Sequence, residues 1–391
     1  MRTIESLLGL IITKKQTFLF ILMAIYVASH GQIDSASIPK KHHPFFSLNY
    51  HYGKVMGTTD FVKGDNMSGS PIANYQSLSF KFGFQNPGYT DWQKTFRGPY
   101  YGVGFFMGDF FTEELGYPLA AYGFYGVPIK RWEKLELYSE FQFGLAWRWN
   151  HYDSIQNPKN NAIGSNMTVY LDIGVNAFYP LTKYLDLGLG LSFTHFSNGG
   201  FERPNRGLNL ISPSFELKYH INKRPNTRSI ERMPKVKQKS NEFYMMLGYG
   251  DHQIVEHEYD SNYYAIAGLG LYYSFQHSNA FRSGPGIDFN YMWGLTAKPD
   301  GTPGPKSLDN LTIGLIYTPE LVIDKLRLTG GIGIYAKHHQ YGNFTQLYQR
   351  LGARYYFTDH ISLGVNVRAI NFMLAEFLEF NLGYTINWKK I

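Results

Sequence analysis

The chain has 391 residues, 17% of them aromatic and 17% charged, with 40 glycines and no cysteine. The lack of cysteine excludes a disulfide framework and thiolate metal centres. The formal charge of +7 is largely local: Lys223, Arg224, Arg228, Arg232, Lys235, Lys237 and Lys239 face only Glu231, which is not a nucleic-acid-reading patch, so no nucleic-acid partner is expected.

The N-terminus (1–31) reads as a signal peptide. Lys14 and Lys15 precede an apolar run over 17–28, and Ser29-His30-Gly31 supplies small residues for cleavage after Gly31. The run is shorter than the about 20 residues a spanning helix needs, which argues against an anchor. No later segment is apolar enough to span as a helix. After a lead over 32–44, strand-like runs fall near 46–57, 76–85, 100–110, 118–130, 134–149, 166–180, 184–197 and 208–222. The basic, proline-containing segment 223–240 reads as a periplasmic linker. Eight more runs follow near 241–252, 262–277, 286–295, 309–319, 325–338, 344–357, 360–371 and 377–388. Alternating runs of about ten residues between Gly/Asn/Asp/Pro turns are the signature of an all-β transmembrane antiparallel β-barrel, apolar outside and polar or glycine inside. A soluble sandwich is the alternative, with shorter strands.

The second set of runs repeats the first. The stretch AAYGFYGVPIKRWEKLEL (120–137) parallels LTIGLIYTPELVIDKLRL (311–328), matching Gly123 with Gly314 and Pro128 with Pro319. Residues 181–188 parallel 357–364, and 219–222 parallel 384–387. The expected organisation is a duplicated eight-stranded unit, 45–222 and 241–391, forming two eight-stranded barrels or one sixteen-stranded barrel. The linker, about eighteen residues long, favours two.

The chemistry concentrates in 185–221. With a strand period of two, Leu185, Leu187, Leu189, Leu191 and Phe193 form an apolar row that ends in His195 and Ser197. On the returning strand Asn209, Ile211, Pro213, Phe215, Leu217, Tyr219 and Ile221 share a face, and the turn-rich NGGFERPNRG lies between. A hairpin would bring His195, Ser197 and Asn209 together on one face near its tip. That set supplies a nucleophile, a base and a group to orient the base. Glu216 falls on the opposite face by parity, and Glu202 sits in the turn. In the second copy His195 aligns with Asn371 and Ser197 with Met373, and the turn shrinks to Leu374-Ala375-Glu376. Barrel folding alone does not require the His-x-Ser-Asn-Gly sequence, so one active site per chain is expected.

The run His-Phe-Ser-Asn-Gly-Gly from 195, with Pro204-Asn205, Gly207 and a polar residue at 209, resembles the PagL-type lipid A 3-O-deacylases. Those are outer-membrane barrels with a Ser-His-Glu triad whose acid falls at the position of Asn209, so this chain carries an amide there. The Ser-His-Asn set also resembles outer-membrane phospholipase A. The resemblance implies an exported outer-membrane serine esterase acting on lipid A through an acyl-enzyme, with His195, Ser197 and Asn209 catalytic and no cofactor. It also implies an oxyanion site at the backbone N–H groups of Asn198 and Gly200. Arg203 and Arg206 in the turn are candidates to meet lipid A phosphates. A phospholipase A and a non-catalytic porin or scaffold are the alternatives.

With the N-terminus and linker periplasmic, odd-numbered strands run outward, and the pair His195/Ser197 lies at the outer leaflet facing lipid. His277-Ser278-Asn279 has the wrong parity for the same dyad. The pairs His42-His43 and His338-His339 and the Asp251/His252/Glu256/His257/Glu258 cluster lack a ligand pattern such as H-E-x-x-H, so no metal is expected.

Overall fold

The computed structural model describes residues 42–389 apart from 232, 254–261, 299–301, 303, 305–306, 341–345 and 373. The expected signal peptide (1–31), Met373, and Glu256, His257 and Glu258 lie outside the described residues.

The first eight strands are β1 (Pro44–Val55), β2 (Asn74–Gln85), β3 (Tyr100–Asp109), β4 (Gly116–Arg131), β5 (Glu136–Trp149), β6 (Thr168–Pro180), β7 (Leu185–Ser197) and β8 (Leu208–His220). The second eight are β9 (Ser240–His252), β10 (Tyr264–Gln276), β11 (Phe281–Met292), β12 (Leu311–Ile323), β13 (Leu326–Lys337), β14 (Leu347–Tyr356), β15 (Ile361–Ile370) and β16 (Leu374–Lys389). Two short helices, α1 (Asp60–Lys63) and α2 (Asp91–Thr95), sit in the loops after β1 and β2. Each strand pairs antiparallel with its sequence neighbours; β8 closes on β1 and β16 on β9, giving two barrels rather than one of sixteen strands.

The alternation read from sequence is the alternation of the barrel wall. Along β8, Leu208, Leu210, Ser212, Ser214, Glu216, Lys218 and His220 are buried, whereas Ile211, Phe215, Leu217 and Tyr219 are exposed. β1 behaves alike, with Phe46, Leu48, Tyr50 and Tyr52 outside and Phe45, Ser47, Asn49 and His51 inside. An apolar exterior and a polar interior suit hydrocarbon outside and a self-satisfied lumen.

Eight strands leave an interior that side chains can fill. In the first barrel Phe61 of α1, Phe110, Trp149, Phe196 and Leu208 pack at the end that carries the β7–β8 turn. Farther in, Lys81 Nζ donates to Glu140 at 2.6 Å and Glu216 at 3.1 Å, and Tyr100 OH donates to Glu140 at 2.7 Å. Lys218 Nζ stands 3.5 Å from the ring centroid of Phe178 and 3.9 Å from that of Tyr100. The opposite end is covered in part by the basic segment: an added Cβ on Gly98 would meet Ile230 at 2.5 Å, and Arg228 donates to the carbonyls of Trp132 and Glu133 at 2.6 and 2.5 Å. In the second barrel Asp288 accepts from Arg350 and Arg368, each at 2.9 Å, and Glu320 accepts from Arg354 at 2.5 Å.

Two expectations need correction. β11 spans Phe281–Met292, not 286–295. Gly284-Pro285-Gly286 reads as a turn, yet Pro285 lies within the strand, paired with Tyr317 of β12. Towards β10 the ladder lapses between Gly286 and Ser283, where a proline has no N–H to give. In the second barrel a turn begins at Asn371 and Phe372, and Leu374, Ala375 and Glu376 already belong to β16. Asn371 and Phe372 take left-handed φ values of 50° and 59°, which places the aligned partner of His195 in a turn instead of on a strand face.

Lys81 holds two buried carboxylates together, so removing it leaves both unpaired. Lys81→Met should destabilise the first barrel by about 3–5 kcal/mol. The check is the temperature at which the detergent-solubilised chain loses its heat-modifiable gel mobility, and an unchanged value would refute the assignment.

Candidate active site

β7 and β8 are adjacent in the first barrel, in a register that puts His195 directly opposite Asn209. Ser197 follows His195 by two residues on the same outward face, so all three side chains converge near the end of the hairpin. His195 Nδ1 lies 2.7 Å from Asn209 Oδ1, and His195 Nε2 lies 3.0 Å from Ser197 Oγ. Asn209 Nδ2 donates to Thr58 Oγ1 at 3.3 Å, which fixes the amide so that its oxygen faces the ring. An amide oxygen only accepts, so Nδ1 carries the ring proton and Nε2 is left to accept from the Ser197 hydroxyl. The chain Thr58–Asn209–His195–Ser197 thus has one consistent direction of donation.

Backbone around these three side chains leaves room for the imidazole. Gly207 has φ +74°, and a Cβ there would stand 2.8 Å from His195 Cε1. Its N–H donates to Ala162 O at 2.9 Å, and the neighbouring Arg206 N–H to Asn161 O at 3.0 Å, so the loop between β5 and β6 cradles the turn. Gly164 makes the same contact possible, since an added Cβ would fall 2.3 Å from Pro204 O. Thr58 and this loop escape the sequence reading, which names Gly207 only within the Pro204-Asn205-x-Gly207 run and not for its fit against the imidazole.

Asn198 and Gly200 occupy the turn directly after Ser197. Asn198 N–H donates to Asn205 Oδ1 at 3.1 Å, and Gly200 N–H donates to Asn198 Oδ1 at 3.1 Å. Asn198 Nδ2 in turn donates to Glu202 O at 2.6 Å and Ser165 Oγ at 3.1 Å. Both N–H groups expected at an oxyanion site are therefore held by side-chain amide oxygens of the turn in this structure. Glu202, the rival acid, does not contact the ring nitrogens, which Asn209 and Ser197 take; burial pushes its carboxyl above the ordinary range, with His151 pulling it back.

The arginines divide. Arg203 is not displayed for a headgroup: it is 8% exposed, its Nη2 donates to Ala375 O of the second barrel at 3.0 Å, and its N–H donates to Gln253 Oε1 at 2.6 Å. The turn folds onto β16 and draws it in. Arg206 stays exposed at the tip. Elsewhere, His277 Nε2 pairs with Ser283 Oγ at 2.7 Å and not with Ser278. Among the described residues no group of three or more His, Asp or Glu is arranged to hold a metal ion.

Comparison with known proteins follows the two barrels. The family model "Lipid A 3-O-deacylase (PagL)" matches residues 78–218, and "Acyloxyacyl hydrolase, C-terminal domain" matches residues 241–388. The chain belongs to the PagL family. It is accordingly an outer-membrane β-barrel protein. The PagL deacylase match covers the hairpin with His195, Ser197 and Asn209, and the C-terminal-domain match covers the second barrel. Among solved structures, the outer membrane enzyme PagL is 15% identical, covering 44% of this chain and 97% of that one, with a TM-score of 0.28. The FrpB iron transporter from Neisseria meningitidis is 8% identical over 89% of this chain and 69% of that one, with a TM-score of 0.22. The Acinetobacter baumannii outer membrane protein Omp33 is 6% identical over 89% and 99%, with a TM-score of 0.17. No curated protein matches the chain.

If Gly207 makes room for the imidazole, Gly207→Ala should slow labelling of Ser197 by a lipophilic fluorophosphonate about 10²-fold, the cost of roughly 1 Å of misplacement. Unaltered labelling of the folded variant would show that the ring does not need that space.

Proposed function

We propose that the protein is a serine esterase of the outer leaflet that removes an ester-linked acyl chain from lipid A through an acyl-enzyme. The observation that carries this reading is His195 held between Asn209 Oδ1 at 2.7 Å and Ser197 Oγ at 3.0 Å on the outward face of β7. His195 Nε2 takes the Ser197 proton as Oγ attacks the acyl carbonyl, and the ring proton on Nδ1 stays with Asn209. Collapse of the tetrahedral intermediate expels the sugar alkoxide, which receives the proton from Nε2. Water then enters, gives a proton to Nε2 and attacks the acyl-serine, releasing the fatty acid and restoring the Ser197 hydroxyl.

The developing oxyanion is assigned to the backbone N–H groups of Asn198 and Gly200, which would exchange their amide acceptors for it. Each such donor usually contributes about 10²–10³ in rate. The substrate needs no channel: Leu191 and Phe193, on the same face and exposed, border the site with the apolar surface that acyl chains already touch. Arg206 is the remaining candidate for a lipid A phosphate. A phospholipase A is the second reading, favoured by Asn209 in the third position. A porin is disfavoured by two separately closed barrels whose interiors are occupied by side chains.

Mass spectrometry of lipid A and phospholipids from cells with and without the protein separates these readings. Wild type should yield lipid A lacking one ester-linked chain, and Ser197→Ala should lower purified turnover about 10⁴-fold or more. Loss of a phospholipid chain instead would favour the phospholipase, and identical profiles for wild type and Ser197→Ala would remove the enzyme altogether. Asn209→Ala should reduce turnover roughly 10²-fold while the barrel stays folded; full activity would strike it from the triad.

A further inference from the structure

The turn between β7 and β8, residues 198–207, does not project freely. One side of it lies on the wall of the second barrel, where β15 meets β16. An added Cβ on Gly199 would stand 3.6 Å from Val367 Cγ2 and 3.7 Å from Leu378 Cβ, and one on Gly200 would fall 2.7 Å from Ala375 O. Both glycines hold positive φ, 71° and 82°. The Phe201 ring meets Tyr263 at 5.4 Å. Arg203 reaches farthest: its guanidinium donates to Ala375 O at 3.0 Å and its backbone N–H to Gln253 Oε1 at 2.6 Å, with Arg203 8% and Gln253 2% exposed. Ala375 opposes Ala369 whereas Phe377 opposes Arg368, so Glu376 is an extra residue in the ladder. A bulge of this kind bends a strand and re-aims its groups, and the acceptor for Arg203 sits at it.

These contacts bear on the nucleophile. Ser197 is the last residue of β7, so the turn that follows it sets where its hydroxyl and the next N–H groups point. A glycine-rich turn with two left-handed residues has little stiffness of its own, whereas a catalytic group has to be held to within about 0.5 Å. We infer that the second barrel is a positioning unit for Ser197, and that Arg203, with its partners Gln253 and Ala375, is the positioning residue that couples it to the turn. The inference rests on the serine-esterase reading and gives the second barrel, which carries no triad, a part in the reaction. Arg203 acts through the turn and is not a contact for substrate, so its loss lowers turnover and leaves substrate affinity alone.

The test uses the full-length chain in detergent with purified lipid A, scoring fatty-acid release. Arg203→Ala should lower kcat about 10–10²-fold with KM within about twofold, and Arg203→Lys should regain part of the loss. Gln253→Ala, which removes the acceptor of the Arg203 backbone N–H, should lower kcat in the same sense, and the double variant, which loses both tethers of the turn, should lose at least as much as either single variant. If Arg203→Ala fails to fold, judged by heat-modifiable mobility, Gln253→Ala carries the test. Wild-type kcat in folded Arg203→Ala and Gln253→Ala chains would overturn the inference, as would a raised KM at unchanged kcat, which would make Arg203 a substrate contact. If the wild type releases no more fatty acid than Ser197→Ala, the esterase reading itself fails and this inference with it.

Discussion

Closure of the backbone ladder is the constraint on which the rest of the molecule depends. Hydrocarbon offers no partner to a free N–H or C=O, so a spanning sheet has to pair with itself all the way round. β8 on β1 and β16 on β9 complete that circuit twice. Once it is complete, each strand has an inner and an outer face, and a side chain's surroundings follow from its parity. Lys81, Glu140 and Glu216 are inward and form one ion-paired cluster; His195, Ser197 and Asn209 are outward and meet the apolar surface. A slip of one residue of β8 against β7 would turn Glu216 towards lipid and Asn209 towards the lumen, away from His195. The pairing of His195 with Asn209 is thus a matter of sheet register as much as of side-chain chemistry.

The third member of that set is neutral, and its position makes this physically reasonable. Asn209 accepts the Nδ1 proton and selects the tautomer in which Nε2 faces Ser197. What it cannot supply is negative charge to stabilise the imidazolium that the proposed acyl transfer would form. A carboxylate would supply that charge, but at a desolvation cost beside an apolar surface. A resting Ser-His-Asn set carries no formal charge, so nothing in it has to be stripped of water before the acyl chain arrives. The trade is a less stabilised charged intermediate against a resting site that costs less to bury.

Strand number and facing were legible because period-two alternation is imposed by the pleat and survives in any single strand. On that ground His195, Ser197 and Asn209 were expected on one face of β7 and β8, and the structure brings them within hydrogen-bonding reach there. β11 was misplaced because Gly284-Pro285-Gly286 has turn chemistry, and only the missing donor of Pro285 towards β10 shows how a strand accommodates it. The turn was the least legible part. Nothing local distinguishes Arg203 from Arg206, and what separates them is contact with Gln253 and Ala375, residues 50 and 172 positions away. The amide oxygens that hold the Asn198 and Gly200 N–H groups, and the fit of Gly207 under the imidazole, are likewise properties of a folded turn and not of its composition.

The second barrel supplies the surface on which that folded turn lies. Each barrel satisfies its own backbone, so the second copy is not needed to complete the ladder of the first. Three positions separate Ile370 of β15 from Leu374 of β16, against ten between Ser197 of β7 and Leu208 of β8. A short connection leaves the end of β15 and the start of β16 without a long loop of their own, and the turn of the first copy takes that place on Val367, Ala375 and Leu378. The barrel without the histidine and serine is also the one with the shorter connection at this wall. The two barrels are then complementary: one carries a long, glycine-rich turn held partly by its own amides, and the other presents the strand surface on which its far side rests.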